Sequence, residues 1–403
     1  MNLYKKILYI LLLLYITIYP ILPTYGVINA DIILYILALV YIIGLILYKK
    51  ERQELLYLVK NIFNNTILLS ISCLNLLMYL SVFIANDKRI SLTNSIRFSM
   101  YIFIFYLISY KIKSSKQISI ILKCFVFTSF LSGIYSLFQI GYTLYLGYSI
   151  DPSIRISSFL ENPNNLSAYS ILSIFIVLSL LINSKSKKSK MLYALLIVLL
   201  AINIIFSQSR SALLAIVFGF LLFAILWNRK FLIVSVLIPL VLFIIPQSRV
   251  RFLQIFDATQ NISRFNIWEI TKLMIKDNPV FGIGYENFSN AYSTYIKDNL
   301  SYSIGEGYVA THPHNIFLKF QVELGILGTL LFILFLVCII FTFYKLFKTN
   351  IANIESRILL IGFSTSFISF ILMNLIDCYV SAPKIMMTFF ILLGVLNYYK
   401  KQN

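Results

Sequence analysis

Apolar residues in this chain gather into runs of roughly twenty, the length an α-helix needs to cross the hydrocarbon core of a bilayer. Such runs leave the backbone little choice, because lipid offers no hydrogen bonds and a spanning helix must satisfy its own N–H and C=O groups. A transmembrane β-barrel would show alternating segments of about ten residues instead. The composition agrees: 60% of the residues are hydrophobic and 12% charged, where soluble domains carry about 25% charge. Mean hydropathy is +0.87. The expected fold is all-α, a polytopic integral membrane protein with one membrane domain over residues 1–403.

About twelve spans can be drawn, over residues 7–24, 31–48, 66–85, 92–110, 118–142, 164–183, 191–207, 211–226, 231–246, 314–343, 357–377 and 384–399. Residues 1–25 resemble a signal peptide, but no small-residue cleavage pattern follows, so they read as a retained first span. Lys5 and Lys6 precede that span, and Lys49, Lys50 and Arg52 follow the second. Lys111, Lys113 and Lys116, then Lys185, Lys187, Lys188 and Lys190, then Lys400 and Lys401 mark further alternate loops. Lysine and arginine concentrate on the cytoplasmic side, so both termini are expected in the cytoplasm. Lys88 and Arg89, in a short outer loop, depart from the pattern. The same distribution accounts for the net charge of +19 without a nucleic-acid partner. Cys73, Cys124, Cys338 and Cys378 have no C-x-x-C spacing, which suggests neither a disulfide framework nor a thiolate metal site.

On this topology the outer face holds two substantial loops, about 143–163 and 247–313. The second, between the ninth and tenth spans, carries six basic and six acidic residues. It is longer than an ordinary connection, and loops of that size are usually functional. Ile267 to Ile275 has helical spacing, while Asn278-Pro279 and Gly282-Ile283-Gly284 mark turns. No internal repeat is visible, which disfavours a transporter built from two related halves.

The two histidines, His312 and His314, sit where this loop runs into the tenth span. Pro313 suits the first turn of a helix, so that span is expected to start at Thr311 to Pro313. A helix start favours bound phosphate and disfavours imidazolium. A neutral imidazole there can take a proton from a hydroxyl as a general base; the plainer reading is a helix cap. Helical spacing sets Gly325 and Gly328 within about 40° of His314, as a groove or a close packing face. Arg155, Arg210 and Arg264 face the outer side against the charge bias, which suggests an anionic partner such as phosphate. Each could instead pair with a carboxylate or a lipid headgroup. Arg210 stands out because its loop is so short that it must lie at the rim of the bundle. Lys319 and Glu323 form an i, i+4 pair read as a structural tie. No Walker loop, dinucleotide fingerprint, H-E-x-x-H or carboxylate-rich metal cluster is present.

In this order these residues resemble the O-antigen ligase and polysaccharide polymerase superfamily. His314-Asn315, nine residues, then Gly325-Ile-Leu-Gly328 is similar to the H-[NSQ]-x9-G-x-x-G pattern of the ligases. Ser209-Arg210-Ser211 resembles the family's Ser-Arg-Gly/Ser element. Arg264-x3-Trp268 with Asn278-Pro279, Gly282-Ile-Gly284 and Asn287-Phe288 resembles its loop segment, and Arg155 with Phe159 and Asn162-Pro163-Asn164 the shorter loop before it. The motifs cover about residues 155–330. The resemblance implies a GT-C-like, inverting glycosyltransferase working outside the cytoplasmic membrane on undecaprenyl-diphosphate-linked glycans, with no metal, nucleotide sugar or other cofactor. It gives His314 the role of base and Arg210 and Arg264 that of stabilising the diphosphate leaving group. Arg155, His312, Asn315, Trp268, Gly325 and Gly328 would contact substrate. The acceptor is a second lipid-linked repeat unit in a polymerase, the expected case because polymerases occur with or without an outer membrane, or a lipid A core in a ligase. A flippase and a chain-length regulator are the expected protein partners.

Overall fold

A computed structural model of the chain describes residues 3–24, 26, 29–148, 154–255, 257, 259–349 and 353–402. The described residues are helical, with no strand among them. In chain order the helices are α1 (Leu3–Ile18), α2 (Asp31–Leu47), α3 (Lys49–Lys60), α4 (Thr66–Ser81), α5 (Lys88–Tyr106) and α6 (Ser115–Tyr145). They continue with α7 (Pro163–Asn183), α8 (Lys187–Ser207), α9 (Arg210–Leu226), α10 (Phe231–Ile244) and α11 (Pro246–Leu253). The remainder are α12 (Ile262–Asp277), α13 (Phe288–Asp298), α14 (Ile316–Thr349), α15 (Ile354–Met373) and α16 (Pro383–Gln402). Each expected span has its helix. Six are long and apolar enough to cross a bilayer alone, and α4, α9 and α10 are shorter apolar helices.

Local chemistry sets the helix starts. Asn65, Asp87, Asn162 and Asn353 cap α4, α5, α7 and α15 through side-chain oxygens that accept backbone N–H bonds, satisfying donors that a first turn leaves open. Pro163 follows Asn162 at the first helical position, where its missing N–H costs nothing. Helix α7 is the centre of the bundle: residues 166–179 are buried without interruption, and α8 and α15 pack along it. Its serines turn their hydroxyls back to carbonyls of their own helix, leaving small surfaces that neighbouring helices can approach closely.

Several boundaries differ from expectation, and two of them reshape the site. The first helix stops at Ile18, before Pro20 and Pro23. The tenth span starts at Ile316 and not at Thr311 to Pro313, because Asn315 is the residue whose side chain accepts the first free N–H groups, from Phe317 and Leu318. The eleventh ends at Met373, so 374–382 form a loop with one short turn at 379–381.

The long segment between α10 and α14 folds onto the bundle as a cap. Its helices α12 and α13 enclose a small core of Ile267, Ile270, Met274, Phe288 and Tyr292, closed from below by Val322 of α14. The Asn278–Asn287 turn region lies against a kink in α14, where Gly325 has φ +66° and ψ −164°, a conformation essentially confined to glycine. A Cβ at that position would overlap the Val280 carbonyl. Lys319, buried, holds the turn region to the helix by bonding Glu323 at 2.8 Å and Glu286 at 3.0 Å. The expected structural tie is present, with Glu286 as a third member.

Candidate active site at one end of the bundle

Two loops and three helix ends meet at the capped end. Residues 315 and 316 are stitched to the 374–377 loop by two bonds: Ile316 N–H donates to Asn374 O at 2.9 Å and Asn315 Nδ2 donates to Leu375 O at 3.0 Å. Trp268 reaches across from α12 and donates its indole N–H to Pro313 O at 2.8 Å. His314 is thereby held with φ +50°, a left-handed conformation that is uncommon outside glycine, asparagine, aspartate and histidine. Its backbone N–H donates to His312 Nδ1 at 3.2 Å, and the two imidazoles meet edge to face with centroids 4.2 Å apart.

The partner of His314 is Asp377, which sequence reasoning missed. His314 Nδ1 lies 3.2 Å from Asp377 Oδ1. The other carboxylate oxygen accepts from Asn164 Nδ2 at 3.1 Å, while Asn164 Oδ1 accepts from the Arg155 guanidinium. Arg155 also donates from Nε to Ser207 O at 2.7 Å. A continuous chain thus runs Arg155–Asn164–Asp377–His314. Burial opposes a charge on Asp377, yet the His314 bond, the nearby imidazoles and the Cys378 N–H outweigh it and hold the carboxyl down at about 2. Burial pushes His312 down to about 4, and His314 acts in the same direction. The network assigns the tautomers. An ionised Asp377 requires N–H at His314 Nδ1, so in the neutral form of that ring the lone pair is on Nε2; His312 accepts at Nδ1 and carries its proton on Nε2.

Arg155 links this dyad to three further arginines. Arg210 is the first residue of α9, set there by Gln208, whose φ of +53° ends α8 in one residue. It donates to Gln254 O at 3.2 Å. Arg264 and Arg251 are both near enough for their charges to act on it, and Arg155 feels Arg251, Tyr379, Asp377 and Arg210. Four guanidinium groups from four chain segments therefore share one region that reaches Asp377. Arg264 has no hydrogen bond or ion pair to a described residue. Arg251, hidden in the sequence as one of six basic loop residues, donates to Gln208 Oε1 at 3.4 Å and Gln254 Oε1 at 3.2 Å.

An open cleft of about 350 Å³ leads to the dyad, lined by His312, His314, Asp377, Asn162, Asn165 and Glu161 among others. The remaining residues expected to touch substrate have other positions. Asn315 and Trp268 spend their polar groups on the loops. Gly325 and Gly328 do not share a helical face with His314, because His314 precedes the helix and Gly325 breaks it; both are buried. His312, His314 and Asp377 have donor atoms within 4.8 Å of one another and are the residues that could hold a metal. In the hydrogen-bond network Asp377 Oδ1 faces His314 and His312 Nδ1 accepts a backbone N–H, which leaves His314 Nε2 as the ring nitrogen open to a ligand.

Comparison with known proteins adds three similarities. Residues 195–333 match the family described as O-Antigen ligase. That segment holds Arg210, Arg251, Arg264, Trp268, His312 and His314, and leaves Arg155, Asn164 and Asp377 outside. A Rickettsia conorii protein provisionally named a polysaccharide ligase is 29% identical over 196 residues, 45% of this chain and 44% of that one. A Rickettsia felis protein with the same provisional name is 28% identical over 223 residues, 52% of this chain and 51% of that one. The chain spans about half the length of these curated relatives.

Proposed function

We propose that this protein is a membrane-embedded glycosyltransferase that moves a glycan from a polyprenyl diphosphate, undecaprenyl diphosphate by resemblance, to the hydroxyl of an acceptor. The observation that carries the reading is the hydrogen-bonded chain from Arg155 through Asn164 and Asp377 to His314, with Arg210, Arg251 and Arg264 alongside. It couples a base to an anion site, as displacement of a diphosphate requires.

The acceptor hydroxyl lies in the cleft and loses its proton to His314 Nε2 while its oxygen attacks the anomeric carbon. The bond from that carbon to the diphosphate breaks, and the electron pair leaves on the diphosphate oxygen. Asp377 keeps Nδ1–H in place and faces the imidazolium that forms, as the carboxylate does in a Ser-His-Asp triad. The guanidinium groups, permanently charged and forked, stabilise the growing negative charge. A single displacement inverts the anomeric centre. No step calls for a metal, since the arginines supply the charge a metal gives elsewhere. The asparagine-rich cleft suits the hydroxyls of a sugar.

The family match and the relatives' names favour a ligase, with a lipid A core as acceptor, over the polymerase expected from the sequence. The lysine-rich end would face the cytoplasm, with both termini, and the site the outer side of the cytoplasmic membrane. The test is purified protein in nanodiscs, given a lipid-linked glycan with and without a lipid A core acceptor. Product formed only with the core identifies a ligase, and chain elongation without it a polymerase. No transfer in either case, from protein that is folded and inserted, overturns the reading.

A further inference from the structure

The end of the bundle opposite the dyad carries a second built feature. Helix α16 begins at Pro383 beside the cleft and ends at Lys400 and Lys401; at about 1.5 Å per residue its length matches a hydrocarbon core of about 30 Å. At this far end α3 leaves α2 at 104°, so it runs across the bundle axis, in the plane of the membrane surface. Arg52 makes the corner by donating to Leu45 O at 2.9 Å and Ile46 O at 2.6 Å, the carbonyls that the end of α2 leaves open. One flank of α3 turns Leu56 and Val59 outward, 58% and 56% exposed, as in helices that lie in the headgroup layer. The other flank, Lys50 and Tyr57, borders a cleft of about 780 Å³ whose far wall is Tyr110 and Lys401.

The charges in this cleft are unbalanced. Glu54 is shared by Lys111 at 2.9 Å and Lys113 at 3.4 Å. Lys401 lies 4.0 Å from the centroid of the Tyr110 ring and donates to Ser109 O at 3.3 Å. Neither Lys50 nor Lys401 has an ion pair with a described residue. Two cations thus line one opening, at the end of the bundle opposite the dyad.

We propose that this cleft is a binding site for the headgroup of an anionic phospholipid, with the phosphate between Lys50 and Lys401 and the acyl chains beside the apolar flank of α3. The site rests only on the membrane embedding and not on the transferase reading. The experiment is native mass spectrometry of the purified full chain in detergent, titrated with dioleoyl-phosphatidylglycerol, dioleoyl-phosphatidylcholine or inorganic phosphate. Phosphatidylglycerol is retained in preference to phosphatidylcholine. The Lys50→Gln/Lys401→Gln double variant weakens that retention roughly thirtyfold, since each lysine near a membrane surface contributes about a fivefold factor. The Lys50→Arg/Lys401→Arg variant keeps it. The Lys187→Gln/Lys188→Gln variant, which removes the same charge from the same end, leaves it unchanged. Equal retention of both lipids, equal weakening in the two Gln pairs, or displacement of the lipid by inorganic phosphate overturns the site.

Discussion

Replacing Asp377 by Asn tests the dyad where its geometry is tightest. Asp377 Oδ1 accepts from His314 and from the Cys378 N–H at 2.9 Å, and Oδ2 accepts from Asn164. An amide has only one acceptor. With its oxygen toward His314, its NH2 meets the NH2 of Asn164, which cannot flip because its Oδ1 holds Arg155. With its NH2 toward His314, it meets the Cys378 N–H and forces the wrong tautomer on the imidazole. Either way a donor faces a donor, at a cost of about 1–3 kcal/mol. The variant also loses the attraction between carboxylate and imidazolium, about 5 kcal/mol for the 3.2 Å pair at an effective dielectric of 20, of which an amide oxygen retains part. Glycan transfer should fall about 10²- to 10³-fold, or about 3–4 kcal/mol of barrier. The fall should not exceed that of His314→Ala, because Asp377 acts through the imidazole. The exchanged pair Asn164→Asp/Asp377→Asn restores every donor and acceptor while moving the charge one residue away, and should recover part of the loss. The assay is transfer in nanodiscs with folding checked by thermal shift. An Asp377→Asn enzyme within about fivefold of wild type, below half of that barrier, would refute the dyad.

Arg210→Ala and Arg264→Ala should each abolish most transfer, about 10²- to 10³-fold, with normal membrane insertion. Arg210→Lys should recover little, because an ammonium lacks the fork that a diphosphate accepts; the comparison is made on initial rates. His312 has its value lowered from 6.5 to about 4, so between these pH values the unfolded chain binds a proton that the folded one refuses. Stability should therefore drop as pH falls from about 6.5 toward 4, and His312→Gln should flatten that part of a melting-temperature profile. Asp377, lowered from 3.8 to about 2, acts only in the more acidic window. Gly325→Ala should cost about 1–3 kcal/mol for the backbone alone, with the Val280 overlap in addition. Gly328 has no positive φ, so Gly328→Ala is spared that backbone cost, but its Cβ would meet Leu324 Cβ at 2.2 Å and should destabilise as well; thermal shift measures both.

The spans were legible because lipid imposes one rule on every apolar run, and the arginines because charge stands out against that background. Asp377 was not. It lies at the last position of a run drawn to 377, and hydropathy cannot say that the helix stops at Met373, where the Asn374 side chain accepts from the Tyr379 N–H and its carbonyl accepts from Ile316. Asn164 was visible only as part of the Asn162-Pro163-Asn164 motif. Its actual task, bridging Arg155 to Asp377, joins residues 155 and 377 and is written in no local pattern. Helical spacing also failed across Gly325, because counting at 100° per residue assumes a helix that neither begins late nor breaks. Arg251 was indistinguishable from solvated loop charge until α11 brought it beside Gln208 and Gln254.

The spacing from His314-Asn315 to Gly325 then acquires a mechanical meaning. Asn315 starts α14 and Gly325 breaks it, and the stretch between presents Lys319, Val322 and Glu323 to the capping segment. The carbonyls of Val322 and Glu323 accept from Ile283 and Gly284, and Ile326 N–H donates to Pro279 O, all within 3.0 Å. The turn region is thereby locked in register along the break, which ends at Glu286, where Lys319 and the Ser381 hydroxyl converge. Ser381 lines the cleft and follows Asp377 by four residues. Gly325 therefore need not touch substrate to matter. It fixes the length of a strut with His314 at one end and the capping segment at the other, and that segment carries Arg264 and, through Trp268, holds the carbonyl next to His314. One helix, whose start and break are both encoded in the motif, thus sets how the capping segment meets His314.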